Sequence, residues 1–303
     1  MDITLALGGG GAKGNAHIGV LRLLDREGFR IRAIAGTSAG GLWGSFYAAG
    51  YSPDEIEAGL SQVDPDTIYN RSSGDGPAMM GLSGVRKILQ EKLGKLTFDQ
   101  LRIPFAVTAV DIDLAEQVIL REGPVADAVL ATIAVPGIFP PKRINGRMLV
   151  DGGVLDPVPV ALARRLAPGL PVVAVVLSPK MDQWNGPVKP RLFESLPFLS
   201  QYFARLRIAQ AFNIFVRSVD IGGVMMTELR LQIEKPDVVI RPEVPQIGLM
   251  DRVDVYEVAN LGEKAAQDAL PDLRRAVSWR GRLSRRLAAP NFTLRFPGNP
   301  DGA

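Results

Sequence analysis

The chain has 303 residues, 47% of them hydrophobic, with 35 Lys and Arg against 32 Asp and Glu, one histidine and no cysteine. That length and composition suit one large α/β domain or two small ones with an ample core, and a net charge of +3 without aromatic-basic interleaving argues against a nucleic-acid partner. Disulfide frameworks and thiolate metal sites are excluded, a histidine-based zinc cluster cannot be assembled from one imidazole, and any serine hydrolase here must use His17 or dispense with histidine.

Met1-Asp2-Ile3 leads directly into a strand-like run, with no basic segment ahead of a long apolar one, so no signal peptide is expected. Apolar runs such as Val172 to Leu177 fall far below the roughly 18 residues of a membrane helix. A cytoplasmic, non-spanning chain is the expectation.

Ile3 to Leu7 reads as a buried strand that feeds Gly8-Gly9-Gly10-Gly11-Ala12-Lys13-Gly14. The helix behind it, about Ala16 to Glu27, places Ile18, Leu21 and Leu24 on one face and stops at Gly28. Backbone N–H groups gathered at a helix N-terminus bind anions, because unpaired donors and the helix dipole point the same way. Three uses of this loop compete. A dinucleotide site would take Gly9, Gly11 and Gly14, yet the next strand carries no acid for the ribose, and a P-loop requires Ser or Thr where Gly14 follows Lys13. The third use is an oxyanion hole for an ester carbonyl. His17, three residues into the helix, precedes the serine candidate and so does not fit the Ser, acid, His order of α/β-hydrolases; it is read as a hydrogen-bonding support for the loop.

Ile31 to Ala35 is the next strand, and it runs into Gly36-Thr37-Ser38-Ala39-Gly40 and a helix from Gly40 to Ala49. Gly36 and Gly40 permit the sharp strand-to-helix turn that exposes a serine hydroxyl, which makes Ser38 the candidate nucleophile. Gly41, Gly44 and Ala48 form a small-residue stripe that lets this helix lie close to a sheet, and Gly50 ends it. Ser52-Pro53-Asp54-Glu55 is a capping box with Pro at the first helical position. Asp64 to Met80 reads as an irregular surface loop with the character of a lid, and Ser83 as the N-cap of a helix through Leu93.

Phe105 to Val110 and Gln117 to Leu120 read as strands, and Pro124 opens a helix to Ile133. The Pro-rich turn Ala134 to Pro141 precedes a strand, Met148 to Val150, that ends in Asp151-Gly152-Gly153. An acid at a strand end followed by two glycines sits at a sheet rim, where sites of open α/β sheets gather. Asp151 is therefore the candidate base, with a turn-capping Asp as the alternative on this motif alone. Further on, Arg274, Arg275, Arg280, Arg282, Arg285, Arg286 and Arg295 follow one another without an intervening acid. Trp279, Leu283 and Leu287 recur among them at interfacial spacing, and Phe198 to Phe215 is another apolar, Arg-punctuated segment. Peripheral membrane contact is a separate expectation, set against a docked helix and a solvated tail.

Taken together, the Gly9 to Gly14 loop, Gly36-Thr37-Ser38-Ala39-Gly40 and Asp151-Gly152-Gly153 resemble the patatin-like phospholipases, especially the bacterial members related to the catalytic domain of neuropathy target esterase. Ala16-His17-Ile18-Gly19-Val20-Leu21, Val135 to Pro141 and Leu149 to Pro159 resemble it too. The likeness is strong over roughly Ile3 to Leu177 and weak beyond. It implies a three-layer α/β/α fold on a mostly parallel sheet, with residues 1–270 as the hydrolase domain and 271–303 as a basic tail. It also implies a Ser-Asp dyad that cleaves fatty acyl esters of phospholipids or lysophospholipids without a metal or cofactor. Carried over, Ser38 is the nucleophile, Asp151 the general base, and the N–H groups of Gly9, Gly10 and Gly11 the oxyanion hole. Lys13, Gly14, Gly36, Gly40, Gly152 and Gly153 support them. The alternatives are a non-catalytic acyl-ligand binding module and, on Arg30 and Arg32 alone, a nucleotide-binding oxidoreductase.

Overall fold

The computed structural model describes residues 1–63, 65–73, 75–183, 207–244 and 247–287. An eight-stranded sheet is its centre, with β1 (Asp2–Leu7), β2 (Arg30–Gly36), β3 (Phe105–Asp111), β4 (Glu116–Leu120), β5 (Lys142–Ile144), β6 (Arg147–Asp151), β7 (Val172–Val175) and β8 (Val238–Ile240). The strand order is β5-β6-β3-β2-β1-β7-β8, with β4 also on β3. Four pairings are parallel, β1 with β2 and β7, β2 with β3, and β7 with β8; β3–β4, β3–β6 and β5–β6 are antiparallel.

Central parallel strands are buried on both faces, and β1 reads accordingly as an apolar run from Ile3 to Leu7, interrupted only by the buried Thr4. Alternate side chains divide the core. Ile3, Leu5 and Leu7 enter the larger cluster, beneath α1 (Ala16–Arg26), α2 (Ala39–Ala49) and α6 (Val125–Thr132). Ala6, Ala35, Ala106 and Ala174 face the other way, and their small side chains let α7 (Val160–Leu166) and α8 (Arg207–Glu234) lie over that face. The result is the expected three layers.

The larger layer is completed by α3 (Pro53–Ser61), α4 (Pro65–Ile68), α5 (Ser83–Lys92), α9 (Val255–Asp268) and α10 (Leu270–Val277), with α11 (Trp279–Leu287) after them. The capping box forms as read: the Glu55 N–H donates to Ser52 Oγ at 3.2 Å, and the Ser52 N–H donates to Glu55 Oε2 at 2.8 Å. Ser83 differs from its reading. It is the first residue of α5 rather than its cap, and its hydroxyl donates to the Asn70 carbonyl at 2.8 Å, which ties the helix to the preceding loop. Helix α1 is pinned against α9 at a glycine crossing, where a Cβ on Gly262 would lie 1.9 Å from the Ala16 carbonyl oxygen. This contact fixes the helix that begins behind the glycine loop.

Candidate active site

One feature of strand register places the site. The β3 strand pairs with β2 only through Val107, opposite Gly36; beyond it, Ala109 to Asp111 pair with β6 instead, with Ala109 opposite Asp151. Because β4 occupies the other edge of β3 over Val107 to Asp111, β2 and β6 share one edge and meet end to end. At roughly 3.3 Å per residue, the two-residue step on β3 separates their ends by about 7 Å. The nucleophile candidate leaves one strand end and the base candidate stands at the other.

Ser38 adopts φ 53° and ψ −123°, a strained conformation for a residue with a side chain. The strand-to-helix turn is held by bonds on both sides: the Ser38 N–H donates to Thr132 Oγ1 at 2.9 Å, the Gly40 N–H to the Thr37 carbonyl at 2.9 Å, and the Leu42 N–H to the Ser38 carbonyl at 3.0 Å. Glycines allow the close approach. A Cβ on Gly40 would lie 2.1 Å from the Leu7 carbonyl oxygen, one on Gly36 would meet the Gly41 backbone at 2.6 Å, and one on Gly14 would reach Ala39 Cβ at 2.5 Å.

Asp151 is buried, with 5% of its surface exposed, and its carboxylate faces the Ser38 hydroxyl, which favours the ionised form. The Gly153 N–H donates to Asp151 Oδ1 at 2.7 Å. Burial pushes the carboxyl up to about 6, against the pull of the Ser38 and Gly153 hydrogen bonds. Gly152 is obligatory, since a Cβ there would fall 2.1 Å from Thr108 Oγ1. The side chains of the two expected dyad residues thus face one another.

The glycine loop packs on this pair, with a Cβ on Gly9 placed 3.1 Å from Ser38 Cβ. Its amides differ from the expectation in one respect. The Gly9 N–H is occupied, donating to the Pro157 carbonyl at 3.0 Å, because Gly8 and Gly9 prolong β1 and bond outward as a strand does. Among the described residues, Gly10 and Gly11 N–H have no partner, so the free donors are two of the three expected. The Lys13 ammonium is part-buried; burial pushes it below its ordinary value, and the carboxylates of Asp220 and Asp251 act in the opposite sense.

His17 is fully buried, and its Nε2–H donates to the Gly8 carbonyl at 2.8 Å. Burial holds its ionisation down at about 4, so the ring is neutral and supports the loop from behind. Three threonines and an aspartate were not singled out from sequence: Thr132, and the chain in which Thr108 Oγ1 donates to Thr37 Oγ1 at 2.7 Å while Thr37 Oγ1 donates to the Asp156 carbonyl at 2.8 Å. Asp156-Pro157, a turn-prone pair just after the acid motif, was the available signal for this bracing.

A cavity of 650 Å³ opens beside Ser38, Gly11 and Ala12, within the range of small-ligand sites. Its walls are largely apolar, with Leu42, Trp43, Phe46, Ile68, Val85 and Phe139 among them. Part of the Asp64 to Met80 loop, including Tyr69 and Met80, therefore lines the cavity rather than standing apart from it. Beyond the site, Trp279 is 63% and Leu283 49% exposed, whereas Arg285 is tied to Asp237 Oδ1 at 3.1 Å. The Leu287 side chain, Arg295 and residues 198–206 of the Phe198 to Phe215 segment lie outside the described residues. Among those described, no helix is long and apolar enough to cross a membrane.

The model of the patatin-like phospholipase family matches residues 5–164, a stretch that contains the glycine loop, Ser38 and Asp151. An uncharacterised NTE family protein of Mycobacterium tuberculosis is 38% identical over 162 residues, covering 52% of this chain and 44% of its own. Lysophospholipase NTE1 of Yarrowia lipolytica is 24% identical over 300 residues, covering 90% of this chain and 20% of its own. The chain therefore spans about half or less of the length of these curated relatives. Among solved structures, VipD from Legionella pneumophila shares the fold, with a TM-score of 0.57 at 13% identity, over 89% of this chain and 66% of its own.

Proposed function

This chain belongs to the patatin-like phospholipases, and from that membership and the geometry of its site we propose that it is a serine lipid acyl hydrolase acting on fatty acyl esters of phospholipids or lysophospholipids. One observation carries the reading: a strained serine that lines a largely apolar cavity faces a buried carboxylate, whose ionised form its hydroxyl favours. Structural roles alone give no reason to keep Ser38 at φ 53° or to bury Asp151 against it.

In the proposed mechanism Asp151 takes the Ser38 proton as Oγ attacks the ester carbonyl carbon, and the carbonyl electrons move onto oxygen. The alcohol then leaves with a proton returned by Asp151. Water, deprotonated by the same carboxylate, cleaves the acyl-enzyme. An aspartate near its ordinary value is a weak base toward a hydroxyl, and the upward displacement of Asp151 to about 6 narrows that gap. The Gly10 and Gly11 amides are assigned to the developing oxyanion, where loss of one donor typically costs about 3 kcal/mol of barrier. The acyl chain lies in the cavity, leaving the polar alcohol portion toward solvent.

The same reading takes residues 1–270 as the catalytic unit and 271–303 as a basic appendage, whose first part is attached through Arg274–Glu27 at 2.9 Å and Arg285–Asp237 at 3.1 Å. Exposed Trp279 and Leu283, one helical turn apart, supply its peripheral contact with a lipid surface. Labelling by a fluorophosphonate probe tests the central claim. The adduct is expected on the Ser38 peptide of the wild-type chain and absent from a folded Ser38→Ala variant, with hydrolysis of acyl esters lost in parallel. A well-folded wild type that stays unlabelled in lipid micelles would overturn it.

A further inference from the structure

We propose that Arg230, on a helix remote from the three motifs, is a positioning residue that holds the base, the serine turn and the glycine loop in register. This rests on the reading of Ser38 and Asp151 as the dyad. Arg230, Asp156 and Glu234 are all nearly fully buried. Arg230 Nε lies 2.9 Å from Asp156 Oδ1 and Nη2 lies 2.6 Å from Glu234 Oε1, while Arg230 Nη1 donates to the Leu155 carbonyl at 3.3 Å. Gln117 Nε2, from β4, donates to the other Asp156 oxygen at 2.7 Å. Burying three charges is costly, and replacing such a group with apolar residues is often neutral or stabilising, so its presence calls for a role other than stability.

That role is visible in what Asp156 holds through its backbone. Its carbonyl accepts from Thr37 Oγ1 at 2.8 Å, which reaches the residue preceding the nucleophile. Its N–H donates to the Gly152 carbonyl at 2.8 Å, which closes the turn that begins at Asp151. The next residue, Pro157, accepts the Gly9 N–H at 3.0 Å and so fixes the loop that carries the free amides of Gly10 and Gly11. Residues 151–157 thus touch all three parts of the site, and Arg230 grips that segment by one side chain and one carbonyl. Glu234 aims the guanidinium, and the fork geometry of arginine is what serves two carboxylates and a carbonyl at once.

Anchoring of α8 is not itself the function of the contact, because the helix end is fastened independently. Arg164 Nη1 donates to the Glu234 carbonyl at 2.8 Å and Nη2 to the Lys235 carbonyl at 2.9 Å, and neither bond reaches residues 151–157. Arg164→Met is therefore the matched control.

Hydrogen exchange by peptide mass and steady-state kinetics on a water-soluble acyl ester, with active sites counted by fluorophosphonate, form the test. Arg230→Met and Asp156→Asn are expected to raise exchange in residues 8–14 and 151–157 and to lower kcat on the order of 100-fold, the scale of a roughly 1 Å misplacement. KM should stay within about twofold, since substrate binding in the cavity is not what is lost. Arg164→Met should lower the unfolding midpoint while leaving kcat and glycine-loop exchange at wild-type values. Unchanged glycine-loop exchange in folded Arg230→Met and Asp156→Asn, or an equal loss of kcat in Arg164→Met, would overturn the proposal. Should Arg230→Met fail to fold, the near-isosteric Asp156→Asn decides alone. A wild type inert to both ester and probe would instead sink the dyad reading, while the exchange comparison would still decide whether Arg230 holds these segments.

Discussion

Replacing Asp151 with Asn is expected to abolish ester hydrolysis and, at pH 8, to make the protein more stable. Burial pushes the Asp151 carboxyl from 3.8 up to about 6. Between those values the folded chain holds a proton that the unfolded chain has released, so stability falls as pH rises through this window and the full cost is present above about 6. At about 1.4 kcal/mol per pKa unit, the cost is about 3 kcal/mol at pH 8 and about half of that at pH 5. Asn removes the buried charge, keeps an acceptor for the Gly153 N–H and fills the same volume. Urea unfolding of both proteins at pH 8 and pH 5, with equal m-values, reads the difference directly. The expected stabilisation of about 3 kcal/mol at pH 8 should shrink by about half at pH 5. A gain that does not change with pH, or a variant less stable than wild type at pH 8, would refute the reasoning. The kinetic counterpart is a wild-type kcat that rises through pH about 6 and levels off above it.

Ser38→Gly and Ser38→Ala should both lose hydrolysis, but Gly releases the strain at φ 53°, so thermal unfolding should show Ser38→Gly the more stable of the two by about 1 kcal/mol. His17→Gln keeps a donor within reach of the Gly8 carbonyl and should retain hydrolysis per labelled site, because the neutral, buried imidazole takes no proton in the reaction; a folded, inactive His17→Gln would give histidine a chemical role. Ile88 lines the cavity, and Ile88→Trp should depress hydrolysis of palmitoyl relative to butyryl p-nitrophenyl esters by roughly tenfold, with parallel loss on both esters counting against an acyl site there.

Much of the fold and site was legible because their parts are local. The apolar run before the glycine loop, the Gly-flanked serine and the acid ahead of two glycines each obey a short-range backbone constraint, and each lies where its pattern implied. Occupancy of the Gly9 amide was not legible, since whether an N–H is free depends on the Pro157 carbonyl nearly 150 residues away. Arg230 was equally hidden. On a 28-residue helix it is one arginine among several, and only the packing of α8 under the sheet buries it against Asp156.

The juxtaposition of base and nucleophile is a further case of non-local determination, and it turns on register. Asp151 reaches Ser38 because β6 takes over the edge of β3 that β2 leaves, with Ala109 opposite Asp151. A slip of one residue would flip every β6 side chain to the opposite face, sending Asp151 away from Ser38 and exposing Leu149 and its buried neighbours. The register is held on the far side by the β5–β6 hairpin. Its two-residue loop, Asn145-Gly146, has positive φ at both positions, 50° and 79°, as a type I′ turn requires. Inside, Leu149 packs with Ala109 and Ala131, so the same alternation that buries leucine delivers the carboxylate two residues later. The position of the base is therefore set by a turn and a packing pattern that carry no chemistry of their own, which is why the acid motif, read alone, could not be told from a turn cap.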